Sequence, residues 1–386
     1  MMNGRQRGLL MKKYAHISYN LYCNFTNYGS ALHTYALQEV MNGIAPGQVE
    51  SIVLDYCPDV LKDKDILNPI KNLWDADEES KRMIELSMPA IRMNNDKFKQ
   101  FYRKYYKLSS QKYTSENFND SLGLEGLYGY VCGSDTIWCI REFKGFDDGY
   151  FGNYPVMKKA RTVSYAASFG DVVFYHEELE TLRNRMQNFR AISVRESVNL
   201  DFIKESVDIE RVPVQRVLDP TLLLKGEDYE KITEKRMIDE PYILLYVRRY
   251  NKEMEEYADR IAECLSCTVV EISLRATNAE RHIMKYDAGV EEFLSLVKYA
   301  ECVITNSFHG AIFAIQMHTP FKVFSREQAD TKIDELLELL DLKRCKMITG
   351  FETSEAAIDF NKVEEILKAK RSDSLEYIKE ALEINE

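Results

Sequence analysis

The chain's dominant regularity is an alternation: short apolar runs are followed again and again by longer amphipathic stretches through most of its 386 residues. An apolar run of about 4 to 8 residues bounded by turn signals reads as a strand buried on both faces, and a helical pattern between such runs supplies the crossover of a parallel sheet. The expected class is therefore α/β, doubly wound. Strands are predicted at 14–18, 51–55, 129–132, 162–166, 191–194 and 215–218, with a first helix over 30–41. A second series follows, with strands at 242–247, 268–272, 302–305 and 321–324 and helices at 252–264, 290–299 and 311–317. The charged segment 225–240 ends at Pro241 and reads as the connection between two units. The predicted division is an N-terminal Rossmann-like domain over 1–225, a C-terminal one over 241–350, and helices over 351–386 that pack on the domains.

Composition narrows the function. Sixty-two acidic against 51 basic residues give a formal charge of −11, which argues against nucleic acid as a partner and means that an anionic ligand needs a local basic pocket. The eight cysteines are scattered through apolar runs, the usage of free thiols in a reducing cytoplasm. Cys264-Leu-Ser-Cys267 has no second pair at zinc spacing, so neither a metal nor a cofactor is expected. The basic N-terminus lacks an apolar stretch long enough for a signal segment, and no apolar run reaches membrane-spanning length. Between Ile66 and Lys107, the aromatics Phe98, Phe101, Tyr102 and Tyr105 share one helical side and Lys97, Lys104 and Lys107 lie elsewhere. That pattern suits a core-facing stripe with a solvated basic face; peripheral contact with an acidic membrane surface is the other reading.

Polar stretches at the ends of the predicted strands carry the chemistry. In Thr305-Asn306-Ser307-Phe308-His309-Gly310 a buried strand gives way to a helix starting near Gly310, so His309 sits at a turn where backbone N–H groups favour an anion and glycine permits close approach. Histidine there donates to an anion, transfers a proton near neutral pH, or serves structurally. Asn24-Phe-Thr-Asn27-Tyr28-Gly29-Ser30 offers donors to a phosphate or sugar, or simply caps the first helix. Gly133-Ser134-Asp135-Thr136-Ile137-Trp138 combines hydroxyls, a carboxylate and an indole that would suit a sugar, or places Trp138 in the core. Arg195 in Ser193-Val-Arg-Glu-Ser197 can grip a carboxylate or phosphate as a fork, or pair with Glu196 at the surface. Asp219-Pro-Thr reads foremost as a cap, and Asp75-Ala-Asp77 has carboxylate spacing suited to a metal but lies away from a strand end. No Gly-x-Gly-x-x-Gly, Walker lysine loop or Gly-x-Ser-x-Gly elbow is present.

Taken in order, these stretches resemble the polysaccharide pyruvyl transferase family. The similarity runs through Asn27-Tyr-Gly-Ser-Ala-Leu-His-Thr-Tyr-Ala-Leu-Gln38, Gly133 to Trp138, Ser164 to Gly170, Ser193 to Ser197, Leu218 to Leu223 and Phe293 to Gly310. The resemblance implies two Rossmann-like domains arranged as in GT-B glycosyltransferases, phosphoenolpyruvate as co-substrate in the cleft, and a pyruvyl group transferred as a ketal to a sugar of an exported polysaccharide or its lipid-linked precursor. With the free-thiol usage noted above, the expected place of work is the cytoplasm, with the inner membrane face as an alternative. Residue by residue, it gives His309 a proton-handling or phosphate-binding role and has Arg195 grip the donor. Beyond these two matches, the mechanism expected from the residues has Lys332 and the backbone around Asn306, Ser307 and Gly310 hold the donor with Arg195, while Asn27, Gly29 and Trp138 bind the acceptor and Asp135 acts as base. Many members carry Arg at the position of Ser307 and near that of Lys332, so Arg248, Arg249 and Arg326 are further candidates for the charge around the donor. Two rival functions are a glycosyltransferase using a nucleotide sugar and a non-catalytic carbohydrate-binding relative.

Overall fold

The computed structural model describes residues 11–68, 77–119, 122–326, 330–347 and 357–384. In the N-terminal half, β1 (Lys12–Ile17), β2 (Val49–Tyr56), β3 (Leu108–Tyr113), β4 (Gly129–Cys132) and β5 (Arg161–Ser164) form one parallel sheet in the order β3-β2-β1-β4-β5. β6 (Ile192–Val194) and β7 (Val214–Arg216) pair with each other and extend that sheet through bridges from Val163 to Ala191 and Ala167 to Val194. The C-terminal half has β8 (Tyr242–Tyr246), β9 (Thr268–Ile272), β10 (Ile283–Met284), β11 (Cys302–Thr305), β12 (Phe321–Phe324) and β13 (Lys346–Met347), again parallel, in the order β10-β9-β8-β11-β12-β13. Numbered within its own half, the first sheet runs 3-2-1-4-5 and the second 3-2-1-4-5-6, the strand order of dinucleotide-binding folds. The order in which strands are added switches sides between β1 and β4 in one half and between β8 and β11 in the other. Loops beyond those carboxyl ends form the crevice where ligands of such sheets bind.

The strands form where apolar residues run without a break: Tyr242 to Tyr246 are all buried, because helices cover both faces of a parallel sheet. The sequence pattern misses β3, whose Leu-Ser-Ser-Gln-Lys-Tyr is polar and mostly exposed along the sheet edge, and the two-residue strands β10 and β13. The helix Glu78–Tyr105 buries Phe98 and Phe101, while Lys97 and Lys104 reach Glu292 and Glu291 of the C-terminal half at 2.6 and 2.9 Å. Those lysines, considered for a membrane face, are paired within the molecule. Asp77, the described member of the Asp75/Asp77 pair, caps this helix by accepting from the Ser80 N–H at 2.9 Å; Asp75 lies outside the described residues. No helix among the described residues is long and apolar enough to cross a membrane.

The connecting segment is packed rather than extended: Gly226–Glu230 is helical, and Ile232 and Ile238 are buried in the core shared by both halves. Tyr28 makes a further joint, stacking on Phe293 at 4.3 Å between ring centroids and donating its hydroxyl to the Ala288 carbonyl at 2.8 Å. The C-terminal helix Phe360–Ala381 returns to the N-terminal half, where Tyr377 donates to the Ser164 carbonyl at 2.9 Å and the chain end receives the Tyr14 hydroxyl on Leu382 at 3.0 Å.

Candidate active site

The loops after β1, β4, β6, β7 and β11 converge on a buried chain of charged groups. Arg195, just past β6, is its centre: Nη1 meets Asp219 at 2.9 Å, Nε meets Glu196 at 3.3 Å and Nη2 meets Asp135 at 3.4 Å. Its side chain is 2% exposed, so burial disfavours its charge while three carboxylates hold the proton firmly in place. A fork expected to grip the donor is thus engaged by carboxylates on every nitrogen, and the pairing with Glu196 is buried rather than superficial. Asp219 does two jobs at once. Oδ1 accepts from the N–H and hydroxyl of Thr221 at 3.0 and 2.6 Å, as a cap does, and Oδ2 faces both Arg195 and the Nε2 of His309 at 3.7 Å.

His309 lies in the first turn of the helix Phe308–Gln316, which starts two residues before the expected Gly310. Burial pushes its imidazole below the ordinary value, against the pull of Asp219 and Asp135. Its Nδ1 abuts Gly29: a Cβ built there would come within 2.0 Å of that nitrogen, so Gly29 makes room for His309 rather than for a ligand. Gly310 likewise serves packing, since a Cβ would meet Thr305 Oγ1 at 2.6 Å. Ser307 is the helix cap, accepting from the Gly310 N–H at 3.2 Å, and Asn27 caps the helix Tyr28–Ile44 by accepting from the Gly29 N–H at 3.0 Å. Asn306 spends both ends of its amide on the loop after β8, accepting from the Arg248 N–H at 2.9 Å and donating to the Arg249 carbonyl at 2.7 Å, so it positions two arginines.

Asp135 accepts from the Ser30 hydroxyl at 2.7 Å and its own Thr136 N–H at 2.9 Å, with His33 Nε2 3.5 Å away. Burial opposes its ionisation, but His33, Arg195 and His309 overcome that and hold the carboxyl well below the usual range. So weak a base does not suit the role proposed for it. Glu142 fits better. It accepts from Thr136 Oγ1 at 3.1 Å, and burial together with the Asp135 charge pushes its carboxyl upward. Trp138 is a correction: fully buried, it donates to the Tyr150 carbonyl at 2.9 Å and packs among Phe151, Phe169 and Phe189, facing no cleft.

On the C-terminal side, Lys332 and Arg195 both lie over the Phe308 ring, 5.7 and 5.2 Å from its centroid. Burial, with Arg195 and Arg326 beside it, pushes Lys332 down to about 8. Arg326 is pushed down to about 10 by burial and by Arg248 and Arg249, and its buried Nε has no hydrogen-bond partner. A cavity of about 210 Å³ opens from Arg195, Asp219, Phe308 and Lys332 and continues between Leu222 and Leu336. The cations Lys332 and Arg326 were legible as isolated charges; the places of His33 and Glu142 and the second job of Asp219 were not, because each is set by contacts from another loop. No cluster of His, Cys, Asp and Glu able to hold a metal occurs among the described residues.

Two Rossmann-like halves closed over a crevice, with the last helix crossing back to the first half, define a protein of the GT-B type. The family model for polysaccharide pyruvyl transferase matches residues 27–328, and the chain belongs to that family of transferases acting on polysaccharide. No curated protein sequence matches it significantly. Among solved structures, it is similar to a putative UDP-N-acetylglucosamine 2-epimerase from Listeria monocytogenes (13% identity, TM-score 0.47, 98% of each chain covered). It is also similar to the UDP-GlcNAc 2-epimerase of Methanocaldococcus jannaschii (12%, 0.48, covering 97% of this chain and 100% of that one) and to Phytolacca americana UGT2 (8%, 0.38, 97% and 94%).

Proposed function

We propose that the protein transfers the pyruvyl group of phosphoenolpyruvate to a sugar diol of a polysaccharide or its lipid-linked precursor, forming a cyclic ketal and releasing phosphate. Family membership supports the class of reaction. The observation that carries the donor is the crowding of Lys332 and Arg326, whose protons are loosened by burial and by neighbouring cations; a phosphate and a carboxylate relieve that repulsion. The cavity at Lys332 and Phe308 is large enough for a three-carbon phosphate.

In this reading the donor's negative charge raises the proton affinity of His309, which then delivers a proton to the methylene carbon. The centre at C2 becomes oxocarbenium-like and is attacked by one sugar hydroxyl; the C–O bond to phosphate breaks and the second hydroxyl closes the ring. Two hydroxyl protons are released: one restores the proton spent on carbon and the other leaves with phosphate. Glu142 accepts the hydroxyl proton, and the Lys332 and Arg326 charges stabilise the departing phosphate.

The test is a thermal shift with phosphoenolpyruvate against a panel of nucleotide sugars, followed by phosphate release with candidate acceptors. A donor at 100 times its Kd raises stability by about 2.7 kcal/mol. His309→Ala is expected to lower phosphate release by about 10²-fold or more. Stabilisation by a nucleotide sugar and none by phosphoenolpyruvate overturns the reading in favour of glycosyl transfer.

A further inference from the structure

His33 stands on the second turn of the helix Tyr28–Ile44, fully buried, with its Nε2 lacking a hydrogen bond and 3.5 Å from Asp135 Oδ2. His309 repeats this arrangement from the other half: buried, its Nε2 also without a hydrogen bond, 3.7 Å from Asp219 Oδ2. The two rings lie 6.3 Å apart between centroids, and Arg195 bridges the two carboxylates. The result is a symmetric series, His33, Asp135, Arg195, Asp219, His309, running through the interior from one half to the other.

The groups facing His33 are His16 on β1, Asp135 after β4, Asp219 after β7, His309 in its helix and Thr34 on its own helix, whose hydroxyl lies 3.4 Å from Nδ1, and Arg195 joins the two carboxylates. Burial keeps His16 neutral, pushed down to about 3. Arg195, Lys332 and Arg326 are outnumbered by Asp135, Asp219, Glu196 and Glu142, three against four, which leaves a single negative charge over. One imidazolium neutralises it; a second would stand against the first in a medium of low dielectric.

We propose that His33 and His309 hold one proton between them, His33 acting as the positioning partner that lends His309 a proton for the donor's methylene carbon. The bookkeeping closes with the reaction above, on which the catalytic part rests. When His309 gives its proton to carbon both rings are neutral, and the pair is refilled by one acceptor hydroxyl proton relayed through Glu142 and solvent while the other departs on phosphate.

The experiment is a pH titration of the full chain, labelled with ¹⁵N-histidine, read by long-range imidazole NMR correlations without substrate and assigned with His33→Gln and His309→Gln. The expected wild-type result is a pair of two-step curves, each ring losing part of a shared proton in the first step. In His33→Gln, whose amide can still donate to Asp135, the His309 curve becomes a single step displaced by about one pH unit or more, the scale of coupled sites. The acid limb of the phosphate-release profile should move with it, which a merely structural His33 would not cause. Independent single-step curves for both rings, or a His309 curve unmoved by His33→Gln, overturn the proposal. His33→Asn is the second variant should Gln fail to fold, and the wild-type curves alone decide whether the proton is shared. Because the titration needs no donor, its outcome is separate from the failure of phosphoenolpyruvate to bind, which would overturn only the proposed function.

Discussion

Lys332 links a single residue to a measurable pH dependence. Its ammonium is pushed down to about 8 by burial and by the adjoining Arg195 and Arg326, and an anionic donor favours the charged form. The proton is therefore held more tightly in the complex than in the free protein. Affinity is at its plateau below pH 8 and falls, by up to about tenfold per pH unit, as pH rises through that value. Isothermal titration with phosphoenolpyruvate from pH 7 to 9.5, above the second phosphate ionisation near 6, is expected to show this bend, and Lys332→Arg is expected to flatten it. A flat profile in the wild type removes Lys332 from the donor site. Single residues also divide what the sequence reveals from what it hides. The caps at Asn27 and Ser307 follow local rules, since a short polar side chain before a helix finds a free N–H two or three residues on. Whether Arg195 grips a ligand or a carboxylate depends on Asp135 and Asp219, which lie 60 and 24 residues away in sequence, and no local pattern reports that.

At the scale of elements, the start of the helix Tyr28–Ile44 is where the two halves meet most closely. Gly29 has no space for a Cβ because the imidazole of His309 occupies it, and Tyr28 beside it stacks on Phe293. Gly29→Ala therefore acts on His309 from the opposite half. A displacement of about 1 Å at a reacting group is worth about 10²-fold in turnover, so the variant is expected to lose phosphate release by that order. Gly43→Ala, with open space around its Cβ in the same helix, is the control and is expected to leave turnover unchanged. Equal activity in both variants would show that His309 needs no fixed place. The alternation of strands and helices was readable because buried parallel strands must be apolar throughout. What escaped were edge pieces such as β3 and the role of the helix Glu78–Tyr105, whose basic residues answer to acids nearly 200 positions further on. Trp138 escaped for a related reason: an indole after a strand end fits a sugar platform and a core anchor equally well until its neighbours are known.

For the whole molecule, acid exceeds base in the composition, and part of that acid forms a buried carboxylate cluster around Arg195 with the cations Lys332 and Arg326 beside it. The C-terminal helix ties this arrangement together. Ser374 accepts from the Leu218 N–H at 3.0 Å, next to Asp219, and Arg371, itself buried, donates to the Leu222 carbonyl at 2.7 Å and pairs with Glu364 at 2.8 Å. The last helix thus braces the turn that presents Asp219 to Arg195 and His309. Arg371→Met keeps much of the side-chain volume but leaves the Leu222 carbonyl without its donor, a loss of about 1–3 kcal/mol. The expected outcome is a lower Tm together with a smaller shift on adding phosphoenolpyruvate, because the slackened turn releases Asp219. Lys368→Met, at an exposed position on the same helix, should stay within about 0.5 kcal/mol of wild type. If Arg371→Met lowers Tm while the donor-induced shift keeps its full size, the helix stabilises the fold without shaping the site, and the bracing of Asp219 from the chain's end is wrong.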